Sequence, residues 1–208
     1  MQSDAIDQWL SSYLEQPVKL SWDGSIADSL RGSFDGVRFE IAGVATAWLP
    51  LERIAVSASR ARITPGLPAV FRVEGPVVAI TVGQSDLDRW QDGFQLPFRL
   101  RLGEQGLIVN TEIAGVAISV FETRLEVIRR WFVLQPRRAS FLGIPSNAAR
   151  LLRAYLPLPP LSPEARLVGI DHAPGRLTLR FGVSDFEEEI SPGLLKRLRR
   201  RLLPWSGS

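Results

Sequence analysis

A chain of 208 residues and 23.1 kDa suits one ordinary domain, or two small ones at most, with a sizeable core. With 45% of residues apolar, 23% charged and a mean hydropathy of +0.05, it is too hydrophobic for a disordered chain. The absence of cysteine excludes a disulfide framework, a cysteine nucleophile and a thiolate metal site.

The pI near 9.9 invites a nucleic-acid reading until the charges are placed. Residues 191–208 carry Lys196, Arg197, Arg199, Arg200 and Arg201 and no acid. Removing these five from the 25 basic residues leaves 20 against 22 acids, so the body is close to neutral. All basic residues except Lys19 and Lys196 are arginine, a bias that coding composition explains without a partner. No run of about 18 apolar residues is present, which excludes a transmembrane helix. Met1–Gln16 carries acids where a signal peptide has a basic start and an apolar stretch, so the chain is expected to stay inside the cell or to lack a trimmed export segment.

In chain order, Ser3 and Asp4 cap a predicted helix with Ile6, Trp9, Leu10, Tyr13 and Leu14 on one stripe, ending before Pro17. The period then becomes two. Val37, Phe39 and Ile41 alternate with Arg38, Glu40 and Ala42, and Ile54, Val56 and Ala58 repeat the pattern. Val70–Val82 reads as strand, interrupted by Gly75 and Pro76 at an expected bulge or sheet edge. Ser85 to Trp90 predicts a helical turn. Leu96, Phe98, Leu100 and Leu102 then alternate strictly, predicting a strand across the whole segment. Leu107–Ile113 is a further strand, and Val116, Ile118 and Val120 open an extended stretch reaching about Leu134. Ala148, Leu151, Leu152 and Tyr155 have helical spacing over 147–156. Ala165–Ile170 and Arg176–Phe181 predict a hairpin, with His172 in the connecting turn. No repeat or long linker divides the chain. The expectation is a single domain over 1–190, followed by a basic amphipathic helix and tail over 191–208. Its class is α+β, a long curved antiparallel sheet wrapping one or two helices.

Chemistry-bearing motifs are few. His172 is the only histidine, in a segment where a solvated loop residue is expected, and the GxSxG, P-loop, GxGxxG and HExxH patterns are all absent. Asp185, Glu187, Glu188 and Glu189 lack the spacing of a calcium loop and read as a solvated strand end. Neither catalysis, a metal nor a cofactor is expected.

The tail is the sharpest local feature. Leu194, Leu195, Leu198 and Leu202 form an apolar stripe between the cations, with Trp205 beyond. Such a helix can lie in a lipid interface, with Leu194 and Leu198 inward, Lys196, Arg197, Arg199, Arg200 and Arg201 at anionic headgroups and Trp205 at the boundary. Five cations at about 1 kcal/mol each support reversible attachment. The same pattern equally fits leucines docked on the domain with arginines facing water or the acidic run. Residues 124–153 form a second basic zone of seven arginines against Glu126, with Trp131, Phe132 and Phe141 interleaved and Tyr155 just beyond. Its apolar content favours core or groove lining over a single-strand nucleic-acid platform. Val37, Phe39, Ile41, Leu96, Phe98, Leu100, Val116, Ile118, Val120 and Trp131 fill a closed core or line a groove for acyl chains. Alternation leaves both open.

Three stretches carry a family resemblance: Leu30-Arg-Gly-Ser-Phe-Asp-Gly-Val-Arg-Phe-Glu, Ile80-Thr-Val-Gly-Gln-Ser-Asp-Leu-Asp-Arg-Trp, and Leu156-Pro-Leu-Pro-Pro-Leu through the Arg166 to Arg180 hairpin. In order and spacing they resemble the lipomannan elongation factor A type family of phospholipid-binding proteins, over about residues 5–190. The resemblance implies a fold akin to half of a tubular lipid-binding domain, phospholipid bound in or beside an apolar groove, and no catalysis. It also implies a place in cell-envelope lipid or lipoglycan maintenance, usually as an exported or N-terminally anchored protein, although the start of this chain shows neither signal nor anchor. The expected function is therefore non-enzymatic phospholipid binding or transfer at an anionic membrane surface. The location is peripheral membrane or cell envelope, with the cytoplasmic face left open. The alternative is a basic protein-interaction or nucleic-acid-binding domain with a closed core.

Overall fold

A computed structural model describes residues 7–8, 11–12, 17–25, 27–28, 31–44, 49–94, 96–113, 116–128, 131–147, 153–157, 162–191, 193–194 and 197–198. The strands begin with β1 (Val18–Asp23), β2 (Ser33–Val44), β3 (Leu51–Thr64), β4 (Val70–Glu74) and β5 (Val77–Gly83), and β5 runs into helix α1 (Gln84–Asp92). Strands β6 (Arg99–Leu102), β7 (Leu107–Ile113), β8 (Val116–Ile128), β9 (Trp131–Phe141), β10 (Ile144–Pro145) and β11 (Ala154–Pro157) follow. The described strands end with β12 (Ala165–Ala173), β13 (Arg176–Val183) and β14 (Phe186–Glu189).

The expected sheet-dominated α+β class is observed, with every described strand pair antiparallel. One long sheet gives way to two. The first has order β1-β2-β3-β5-β13-β12, with β4 between β3 and β14. The second has order β6-β7-β8-β9, with β10 and β11 on the outer side of β9. The second sheet is thus inserted between β5 and β12, and the β12–β13 hairpin returns to β5.

In the first sheet, directly opposed residues form rows on one face. Leu20, Phe39, Val56, Val78, Phe181 and Leu167 make one such row across six strands. Val18, Ile41, Ile54, Ile80, Leu179 and Ile170 make the next. Val78, Ile80 and Phe181, at the centre of these rows, are at most 1% exposed. The alternate row, Lys19, Glu40, Ala55, Ala79, Arg180 and Gly169, makes the other face polar or small.

The break at Gly75 and Pro76 lies inside the sheet, flanked by β3 on one side and by β13 and β14 on the other, so the expected edge is not found. The ladder to β3 keeps its register across it. Proline donates no backbone hydrogen bond. Here the Asp185 carboxylate accepts from the Gly75 N–H at 2.8 Å, and Val183 donates to the Pro76 carbonyl at 2.9 Å. A side-chain acceptor beside the proline and a backbone donor on its carbonyl thus satisfy the polar groups around a residue normally confined to edges.

Three further expectations change. The Leu96–Leu102 strand shrinks to β6, because Pro97 supplies no donor and the Leu96 N–H turns back to Phe94. The stretch from Val116 to Leu134 is two strands, turned between Ile128 and Trp131, which pair with each other. Of the helix expected over 147–156, residues 148–152 lie outside the described residues, while at its end Ala154–Pro157 forms β11 and pairs with β9, from Ala154 opposite Leu134 to Pro157 opposite Trp131. Unmet backbone groups on the β9 edge favour a paired strand over the helical spacing of the side chains. The expected N-terminal helix is present at the described residues 7–8 and 11–12. It leans on β1, with Asp7 accepting from the Leu20 N–H at 2.8 Å and Ser11 from the Val18 N–H at 2.9 Å.

Helix α1 joins the sheets. Gln84 and Gln91, seven residues apart and so on one side of the helix, both address β6. Gln84 accepts from the Leu102 N–H at 2.6 Å and donates to the Leu100 carbonyl at 3.3 Å. Gln91 accepts from the Leu100 N–H and donates to the same carbonyl at 3.0 Å. Gly175, at the tip of the β12–β13 hairpin, donates to the Leu102 carbonyl at 2.9 Å and accepts from the Gln84 N–H at 2.8 Å. Leu87 and Leu102 accordingly belong to the main core with Val78, Ile80 and Phe181.

Candidate functional site

The apolar face of the first sheet continues onto the second through this junction. Leu100 stands opposite Val109, and Val109 opposite Phe121; Leu102 stands opposite Leu107. Leu100 and Leu107 pack against the main core. On the same face of β8 and β9, Leu125 opposes Leu134 and Val127 opposes Phe132. Leu125 is buried, while Phe121, Val127, Phe132 and Leu134 are half-buried.

The ten groove candidates divide on this frame. Val37, Phe39 and Ile41 lie together on the apolar face of β2, all half-buried. Leu100 lies on the continuing face of the second sheet. Leu96 and Phe98 are half-buried but precede β6. Val120 pairs with Asn110, which pairs with Arg99, so it occupies the opposite face from Phe121. Ile118 is half-buried and is the extra residue where the β7–β8 ladder shifts register between Ala117 and Ser119. Val116 begins β8, and its side chain lies outside the described residues. Trp131 is 44% exposed, at the strand end opposite Ile128 and Pro157.

Alternation therefore matches the face shared by Val37, Phe39 and Ile41 on β2, but not the placement of Leu96 and Phe98, which precede β6. It could not say which face of one strand joins which face of the next. Val56, Val78, Phe181, Val109 and Phe121 complete the apolar face, and the only sequence signal for them was period-two hydrophobicity.

Two polar hollows lie on the second sheet. One, of about 450 Å³, is lined by Arg124, Glu126, Gln135, Pro136 and Arg137. The other, of about 480 Å³, is lined by residues 103–108 with Glu122, Thr123, Arg137 and Arg138.

His172 lies in β12, opposite Leu177, and the turn is made by Pro174 and Gly175. Burial is the main cause that holds its imidazole below the ordinary value of 6.5; nearby Arg124 adds to this and Asp171 opposes it.

At the C-terminus, Leu194, Arg197 and Leu198 are helical. Arg197 donates to Glu188 at 2.7 Å, to the Glu189 carbonyl at 2.7 Å and to Ser191 at 3.0 Å. Leu198 packs against a second buried cluster of Ala58, Val73 and Phe186. At these two membrane-contact candidates the leucine and the arginine are docked on the domain, because the acidic strand end and an apolar cluster lie within reach. Leu194 is half-buried, while Lys196, Arg199, Arg200, Arg201 and Trp205 lie outside the described residues. Among the described residues no helix is long and apolar enough to cross a membrane.

Comparison with protein-family models, with curated proteins and with solved structures finds no match to this chain.

Proposed function

We propose that the protein is a non-enzymatic lipid-binding module that holds phospholipid acyl chains against the apolar face shared by its two sheets and serves at a membrane surface. The observation that carries this reading is the continuity of that face. Half-buried Phe39 and Ile41 at one end stand opposite Val56 and Ile54, half-buried Phe121 at the other shares a row with Val109 and Leu100, and Val56, Ile54 and Leu100 belong to or pack on the buried core around α1. Ordinary cores close over such rows, whereas a surface for acyl chains leaves the flanks of the rows accessible. Each buried methylene of a bound chain contributes about 0.8 kcal/mol, so a strip of this extent suits a long acyl ligand. The family resemblance points the same way and extends the proposal to cell-envelope lipid maintenance, at a peripheral membrane location.

Purification without detergent, followed by solvent extraction and mass spectrometry of the extract, tests the reading. Lipid is expected with the wild-type protein. Phe39→Asp places a charge on the half-buried part of the strip and is expected to reduce retained lipid several-fold. A protein that carries no lipid and takes none from vesicles would sink the proposal and leave the strip as part of a closed core or a protein-docking face.

A further inference from the structure

Strand β9 returns into β10 through Leu142 and Gly143, since Phe141 pairs directly with Ile144. Two-residue hairpin loops of the favoured kind take positive φ at both central positions, which is why Asn-Gly and Asp-Gly dominate them. Here φ is 48° at Leu142 and 79° at Gly143. Among the described residues, Leu142 is the one non-glycine with positive φ. Leucine is poorly suited to that conformation, because its Cβ crowds the carbonyl and its side chain has no polar atom to bond the turn. Packing does not offset this: Leu142 is 57% exposed, and its neighbours Phe141 and Ile144 are 56% and 70% exposed. Three bulky apolar side chains in four consecutive residues thus stand in water at a hairpin tip. A polar residue at position 142 would serve the fold better.

Cations lie behind the tip. Glu122 pairs with Arg138 while Thr123 pairs with Pro136, so Arg137 is the extra residue of a bulge, and both arginines are exposed. The Arg138 side chain is 81% exposed, 4.0 Å from Glu122. Four residues of extended chain separate Arg138 from Leu142, roughly 13 Å at about 3.3 Å per residue. Interfacial elements bury their apolar side chains about 5–10 Å into the headgroup and acyl boundary. With the tip at that depth, long arginine stems bring their charges to the phosphates. Area also separates a membrane from a protein partner. The three exposed side chains offer on the order of 300 Å², well below the roughly 800 Å² per partner of a stable protein interface.

We propose that the tip formed by Phe141, Leu142 and Ile144 inserts into an anionic bilayer, with Arg137 and Arg138 at the headgroups. The proposal rests on reading the protein as one that meets lipid, and it locates the meeting point at this hairpin instead of the basic tail.

The chain has no cysteine, so Leu142→Cys accepts a single environment-sensitive fluorophore. Ser57→Cys, exposed on the polar face of β3, is the control. On adding vesicles of mixed phosphatidylcholine and phosphatidylglycerol, a blue shift is expected at 142 and none at 57. It should weaken in Arg137→Gln/Arg138→Gln and in vesicles of phosphatidylcholine alone. Leu142→Asn, which suits the turn, is expected to melt no lower than wild type while its vesicle partition falls about tenfold. Misfolding would then not account for the loss. Vesicle binding without a shift at 142 overturns the tip proposal and leaves the lipid reading standing. Extracted lipid with no vesicle binding does the same. A dimer that Leu142→Asn disperses, without vesicle binding, overturns it in favour of a self-interface.

Discussion

At Gln91 a single buried amide does the work of a neighbouring strand. Its side chain is 2% exposed and satisfies both the N–H and the carbonyl of Leu100. Gln91→Ala leaves the Leu100 N–H unpaired in a site closed to water, while the Leu100 carbonyl keeps the Gln84 amide at 3.3 Å, and a loss of about 1–3 kcal/mol is expected in denaturant unfolding. His172 sets a pH dependence of defined sign. Its folded-state value lies below the ordinary 6.5, so the unfolded chain takes up a proton first as pH falls. Stability should therefore decline as pH drops from above 6.5 through the lowered folded value, and level off below it. Denaturation midpoints at neutral and mildly acidic pH, for wild type and His172→Gln, check this. The variant should lose less on acidification, and an equal loss would rule the imidazole out as the cause.

Among the elements, the break between β4 and β5 shows how a proline is accommodated in mid-sheet. Asp185→Ala removes the acceptor for the Gly75 N–H, at an exposed position where water can partly substitute. A loss of about 1 kcal/mol is expected, with Asp185→Asn retaining part of the contact; thermal unfolding of the two variants makes the comparison. The strands of the first sheet were legible because Val37 to Ile41 and Ile54 to Ala58 alternate over several residues on faces of opposite polarity. The hairpin around Pro174 and Gly175 was legible from its turn chemistry. Tyr155 was misread because a spacing of three and four residues over a short segment fits a helix as well as a strand, and pairing with β9 decided the outcome. Pro97 shortened β6 for a reason present in the sequence, the missing N–H, which strict alternation of Leu96, Phe98 and Leu100 had outweighed.

Across the whole molecule, the two sheets act together because α1 fastens the β6 edge of one to the β12–β13 hairpin of the other. Capping that edge with two glutamine amides also removes a template for strand addition. The tail is drawn in the same way. Glu188, whose side chain is 10% exposed, and the apolar cluster at Phe186 hold Arg197 and Leu198 on the end of the first sheet. An anionic surface that recruited Arg197 would have to compete with these contacts, whereas the Leu142 hairpin is already presented to water.

By itself the sequence determined the sheet-dominated class of fold and several of its strands, those over Val37–Ile41, Ile54–Ala58 and the Arg176–Phe181 hairpin among them, because period-two hydrophobicity is a local property of the chain. It also determined the absence of thiol chemistry and the concentration of positive charge in the tail. Only the tertiary structure decided that the strands divide into two sheets, which apolar faces meet, that Trp131 and Val120 part company with Leu100, and that Arg197 is held by Glu188. Those outcomes depend on ladder register and on contacts between residues far apart in sequence, such as Gln91 with Leu100 across a turn and Gly75 with Asp185 across the sheet, and no local pattern encodes which partner each backbone group will find.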